Sequence, residues 1–193
     1  MVRLIAIALA VLSGSLLTVP TRAQETNPCP PFPATKLEAF ETNMDTVIIR
    51  ASAPIGTVSA HAGGVAVRCR EITDAGTGHR ESGIVIDIAF DAQLEGTALV
   101  DYDELDSLLD GLEYLGKLDW SVTSLPDFSA VYTTKGGFRA DAHGSKRTGS
   151  IEFAVRSVRV NAPRLSLSRD QLGQLRSLID QGKSKLDSLR KAK

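Results

Sequence analysis

Histidine, cysteine and aromatic side chains are scarce in this sequence, and each scarcity removes a class of chemistry. The three histidines, His61, His79 and His143, all fall in or beside expected turns. None belongs to a His-Glu-x-x-His helix, so the usual pairing of two zinc ligands with a base is missing. His79 and His143, with Asp74 and Asp141, could in principle share a metal, but isolated loop histidines are usually solvated and no metal site is expected. The two cysteines, Cys29 and Cys69, form no Cys-x-x-Cys motif. There is no Gly-x-Ser-x-Gly elbow for a nucleophilic serine and no Gly-x-x-x-x-Gly-Lys loop to cradle phosphates. Beyond the first 23 residues no apolar run is long enough to span a bilayer. These gaps argue against an enzyme, and no cofactor is expected.

The one long apolar run is N-terminal. Arg3 supplies a short basic region, Leu4 to Val19 are mostly apolar, and Thr21-Arg22-Ala23 ends on a small residue. This is the pattern of a cleaved signal peptide over 1–23, with a mature chain starting at Gln24 and bound for the periplasm or the outside. Ser13-Gly14-Ser15 interrupts the run, which disfavours a retained anchor, so no stable span is expected after cleavage. In an oxidising compartment an even cysteine count suggests a Cys29–Cys69 disulfide, and two unpaired thiols are the alternative. The bridge would tie the leader "NPCPPFP" to the domain, giving a Pro-rich lead-in over 24–44 and one domain over 45–193.

From Gln24 onward there are 20 basic and 23 acidic side chains, a net charge of −3. Residues 24–127 hold 6 basic and 18 acidic groups, whereas residues 128–193 hold 14 and 5. Such asymmetry can steer an anionic partner to the C-terminal half. It can equally serve to attract the two halves to each other.

Strand patterns dominate the middle of the chain. "TVIIRASA" (46–53), "TVSA" (57–60), "VAVRCREI" (65–72) and "IVIDIAF" (84–90) are β-branched, and a Gly-, Asp- and Ser-containing loop over 73–83 separates the last two. "TALV" (97–100) is a further short strand. Then "DYDELD" (101–106) sets four acids in six positions. Leu105, Leu108, Leu109, Leu112 and Leu115 follow at helical spacing. Asp101 with Glu104 three residues on resembles a capping box, and acids in a first turn suit the helix dipole. A calcium loop from Asp101 would need an oxygen ligand at position 5, Gly at 6 and Glu at 12, where the chain has Leu105, Asp106 and Leu112. The stretch therefore reads as a helix start.

The second half repeats the order. "FSAVYTT" (128–134), a "KGG" turn and "FRADA" (138–142) make a hairpin. A turn over 143–149, the strand "SIEFAVRSVRV" (150–160) and "RLSL" (164–167) lead into a helix over 168–190. Ser168 with Gln171 is its capping pair, and Leu172, Leu175, Leu178, Ile179, Leu186 and Leu189 are its stripe. Shifting the chain by 67 residues places Ile84, Ile86 and Ile88 on Ile151, Phe153 and Val155, and Leu105, Leu108 and Leu112 on Leu172, Leu175 and Ile179. The expected fold class is therefore α+β: antiparallel ββββα twice, with pseudo-repeats near 45–120 and 121–193.

This order of elements resembles the Whirly domain, a duplicated ββββα body that binds single-stranded nucleic acid. The resemblance is topological, and the Lys-Gly-Lys-Ala strand motif typical of that family is missing, so it implies a fold and no function. The stretches beginning "TVIIRASAPIGTVSAHAGG" and "DYDELDSLLDGLEYLGKLDW", with "YTTKGGF" and "LSLSRDQLGQLRSLIDQGKSKLD", resemble a group of bacterial exported proteins of unknown function. That similarity implies a bacterial source and one intact domain, and it supplies no catalytic residue.

Ten aromatic residues occur in the whole chain. Phe128, Tyr132, Phe138 and Phe153 alternate with Lys135, Arg139, Lys146, Arg147, Arg156 and Arg159. Aromatics interleaved with cations are the ingredients of a stacking surface for single strands, though Phe138 and Phe153 also suit a core. The expectation is an exported, non-enzymatic binding or structural module, whose partner is an anionic polymer or another exported protein. The alternative is an anion-binding protein using those six cations on nucleic acid, lipid head groups or acidic polysaccharide.

Overall fold

A computed structural model describes residues 33–91, 93–160 and 163–191. Four antiparallel strands come first: β1 (Ile48–Ala60), β2 (Gly63–Asp74), β3 (Arg80–Phe90) and β4 (Gln93–Asp101), in the spatial order β1-β2-β3-β4. A 3-10 turn, Tyr102–Glu104, leads into α2 (Leu105–Lys117), which follows a short N-terminal helix, α1 (Lys36–Glu41). The second unit is β5 (Asp127–Thr133), β6 (Phe138–Ser145), β7 (Ser150–Ser157), β8 (Leu165–Leu167) and α3 (Arg169–Lys191), with its sheet in the order β5-β6-β7-β8. The fold is thus α+β and built from two ββββα units.

The break expected between 53 and 57 does not divide two strands. Pro54 cannot donate to the ladder, and β1 absorbs it in a register shift between Pro54 and Gly56. The tip of the β1–β2 hairpin is tight enough to need Gly63, whose φ is 154°.

Each sheet has an apolar inner face. On the first sheet Val67, Ile86 and Ala98 lie in one cross-strand row, as do Cys69, Ile84 and Val100. All six are buried. The second sheet turns Phe138, Ala140, Ala142, Phe153 and Val155 inward. The helices that cover these faces are exchanged. α3, from the second unit, packs on β1, β2 and β3, while α2, from the first, packs on β5 and β6. The two helices also pack on each other, joining both faces into one core. Gly182 of α3 lies against Ile84 and Cys69, and Gly111 of α2 lies against the Tyr132 ring. A glycine that weakens an isolated helix here permits close approach to a sheet. Leu189 departs from the expected stripe and is exposed.

The Pro-rich lead-in contains a helix that the proline count obscures. Thr35 and Glu38 form a capping box: Thr35 Oγ1 accepts from the Glu38 amide at 3.1 Å, and the Glu38 carboxylate accepts from the Thr35 amide at 3.2 Å. α1 lies on the outer face of the first sheet, where Leu37 and Phe40 pack with Ile72 and against Ile48 and Leu99. The expected cap of α3 is present, with Ser168 Oγ accepting from the Gln171 amide at 3.1 Å and the Gln171 side chain accepting from the Ser168 amide at 2.7 Å.

Candidate functional site

The acids of "DYDELD" do not cap their own helix. Val100 points into the core, so strand alternation turns Asp101 to the outer face, away from the amides of 103 and 104. There its buried carboxylate accepts from Lys36 N at 2.8 Å and Leu37 N at 3.1 Å, capping α1 instead. The other three acids are also spent on distant partners. Asp103 pairs with Lys36 Nζ at 2.9 Å and Asp106 with Lys183 Nζ at 3.2 Å, while Glu104 accepts from the Lys135 amide at 2.9 Å. The Lys36 ammonium lowers the pKa of Asp103, and Asp103 raises that of Lys36. Burial pushes the Glu104 carboxyl up, outweighing the Lys135 amide.

This stretch forms one wall of a polar cleft of about 600 Å³. Tyr102, Asp103 and Asp106 face Glu71 of β2, Arg80, Glu81 and Ser82 of β3, Lys36 of α1 and Arg190 at the end of α3. The Tyr102 hydroxyl donates to Asp187, which raises its pKa, and the Arg190 guanidinium stacks 4.1 Å from the centre of the Tyr102 ring. Arg80 lies 4.0 Å from Glu71, and His79 lies 3.4 Å from Glu81. Arg190 makes no ion pair among the described residues. The cleft therefore offers charge of both signs. Among the described residues no group of three His, Cys, Asp or Glu side chains could hold a metal ion. Sequence reasoning singled out the four acids and missed Tyr102, Glu71, Arg80 and Arg190, which come from elements far apart in the chain.

The six cations expected to form an anion surface are largely dispersed. Arg159 is half-buried against Glu38 at 2.9 Å. Lys146 Nζ donates to the carbonyls of Thr123 and Ser124, closing a loop. Lys135 sits at the β5–β6 turn near Asp103 and Glu104. Arg147 lines a surface depression with Asp127, His143 and Glu152. Only Arg139 and Arg156 meet, as direct cross-strand partners on the outer face of the second sheet. The aromatic residues do not accompany them. Phe138 and Phe153 are buried in the core, and Phe128 and Tyr132 pack against it. Arg139 and Arg156 thus lie on the face opposite the rings, the other four cations lie at turns and loops, and the interleaving seen in sequence makes no stacking surface.

Among the described residues Cys69 has no disulfide partner; its buried Sγ lies 3.4 Å from the Gly182 carbonyl oxygen, and burial raises its pKa. It borders an apolar pocket of about 240 Å³ with Ala51, Ala53, Leu186 and Leu189. Its expected partner, Cys29, and the signal segment 1–23 lie outside the described residues. No helix among the described residues is long and apolar enough to cross a membrane.

Two ββββα units with exchanged helices and a mixed-charge cleft define the class: a duplicated α+β protein with a solvent-open polar site. No family model matches the chain, and no curated protein is similar to it in sequence. Among solved structures it is similar to the plant transcriptional regulator PBF-2, at 11% identity over 76% of this chain and 86% of that one, with a TM-score of 0.29. A likeness of that size carries no weight in the functional reading.

Proposed function

We propose that this protein is an exported, non-enzymatic binding module whose cleft holds a ligand bearing charge of both signs. One observation carries the reading: α1, β2, β3, the 102–106 segment and α3 converge on about 600 Å³ with three cations and four acids. Convergent polar groups around a concave site are what orient a small ligand. Arg190, braced on the Tyr102 ring, is the cation left to meet a ligand carboxylate. Glu71 and Glu81 line the same cleft and supply acidic charge to its β2–β3 side. The signal-like pattern of residues 1–23 supports a periplasmic or extracellular location for the module.

The test is an NMR titration of the full chain with free glutamate, free lysine and a Glu–Lys dipeptide at low salt. The dipeptide should move the amide signals of Ser82, Tyr102 and Arg190 more than either amino acid does. Arg190→Ala should weaken that response. Signals that stay fixed in the cleft at millimolar concentrations of all three would defeat the reading. A second reading, anion binding by the C-terminal half, is favoured by the cross-strand Arg139–Arg156 pair.

A further inference from the structure

We propose that the outer face of the second sheet carries a site for a tetrahedral oxyanion, a phosphate or sulfate group, held between Arg139 and Arg156. The site rests on the anion-binding reading and locates it. Residues directly opposite in an antiparallel pair have Cβ atoms about 5 Å apart, and like charges in that position destabilise a sheet. Arg139 and Arg156 occupy such positions. Neither makes an ion pair among the described residues, and the Nε of each is buried without a hydrogen-bond partner.

The nearest carboxylate on this face does not relieve them. Asp141, two residues along β6 from Arg139, is 6% exposed and is engaged by Arg164. Glu152 lies further along the sheet, opposite His143. Asp141 gives one oxygen to Arg164 and keeps the other buried without a partner, so Arg139, Arg156 and Arg164 outnumber the acid beside them on this face. A tetrahedral oxyanion presents oxygens to both guanidinium forks at once, which turns a repulsive pair into a bridged one. Thr133, opposite Arg139 on β5, adds an exposed hydroxyl to the same row. With the aromatic rings on the inner face, this surface reads charge and not bases.

Calorimetric titration of the full chain with inorganic phosphate, and separately with long-chain polyphosphate, tests the site at low ionic strength. Arg139→Ala and Arg156→Ala should each weaken binding at least tenfold. Arg139→Lys, which keeps the charge and loses the fork, should weaken it at least threefold. Lys135→Ala and Arg147→Ala should stay within twofold of the parent. Polyphosphate binding tighter per phosphate, with the same dependence on Arg139 and Arg156, assigns the site to a polymer, whereas equal binding assigns it to the free ion. Should Lys135→Ala or Arg147→Ala abolish binding while Arg139→Ala and Arg156→Ala do not, the site is wrong and the anion-binding reading survives. If neither probe binds, both fall.

Discussion

Replacing Asp101 with Ala should loosen α1, not α2. The carboxylate is 3% exposed and holds the Lys36 and Leu37 amides at 2.8 and 3.1 Å. Hydrogen bonds to charged groups contribute about 1.5–3 kcal/mol each, and the freed amides at a helix end recover part of that from water, so the expected loss is about 2–4 kcal/mol. A helix capped only by its own flanking residue would lose about 0.5–2 kcal/mol. Complete release of α1 would uncover Leu37 and Phe40, about 3–6 kcal/mol of burial. The helix should therefore fray at its start before it leaves the sheet. Urea denaturation gives the total, and amide hydrogen exchange gives the location. Exchange should accelerate at 36–40 and remain slow through α2. Asp101→Asn, which keeps one acceptor oxygen, should fall between parent and Ala. Acceleration at 103–106 with none at 36–40, or a total loss below about 0.5 kcal/mol, would refute the assignment.

Leu108 is fully buried under α2, so Leu108→Ala should cost about 2–5 kcal/mol in urea denaturation. Glu104 has a carboxyl raised by burial, so the folded state holds its proton more tightly than the unfolded one. Stability should then decline as pH rises from the ordinary carboxyl range through the raised value; Glu104→Gln should flatten that slope, and an unchanged pH profile would contradict it. In the reduced protein Cys69 should react with a thiol reagent at pH 8 far more slowly than a free peptide thiol, becoming fast only on unfolding. Separate fragments 33–120 and 121–193 should be largely unfolded by circular dichroism and recover structure on mixing, because each sheet needs the other unit's helix. A cooperative melt from either fragment alone would overturn the exchange.

Much of the fold was legible because period-2 and period-3.6 patterns are local. The leucines from 105 to 115 and the β-branched run from 84 to 90 lie where expected, and the 67-residue offset matches β3, β4 and α2 to β7, β8 and α3. α1 was legible too, since Thr35 and Glu38 carry the capping-box spacing, but the neighbouring prolines drew the segment toward an extended reading. The Asp101 assignment failed for a readable reason. Alternation with an inward Val100 already sends Asp101 outward, and strand parity outweighs helix-start propensity at that position. The exchange of helices left no such mark. A leucine stripe says that a helix covers something and not which sheet it covers. The cleft was illegible on the same ground, as Lys36, Arg80, Tyr102 and Arg190 meet only through the chain path.

The charge asymmetry between the halves takes on a specific role once the helices are seen to be exchanged. α2 and α3 run antiparallel, and their ion pairs run along the seam: Asp106 with Lys183 at 3.2 Å and Glu113 with Arg176 at 2.7 Å. These acids are seven residues apart on α2, and so are these cations on α3. Arg169 continues the line, donating to the carbonyls of Gly116 and Leu118 at the C-terminal end of α2, where the helix dipole favours a cation. Pairs this exposed contribute little stability each, about 0–1 kcal/mol. Their weight lies in discrimination. Two leucine-striped helices could slide by a turn or pack on their own sheets with similar apolar burial, and misplaced like charges would penalise those alternatives. The acids of the first unit and the cations of the second thus fix one register. Arg139 and Arg156, which take no part in that seam, remain as the unbalanced charge on the open face of the second sheet.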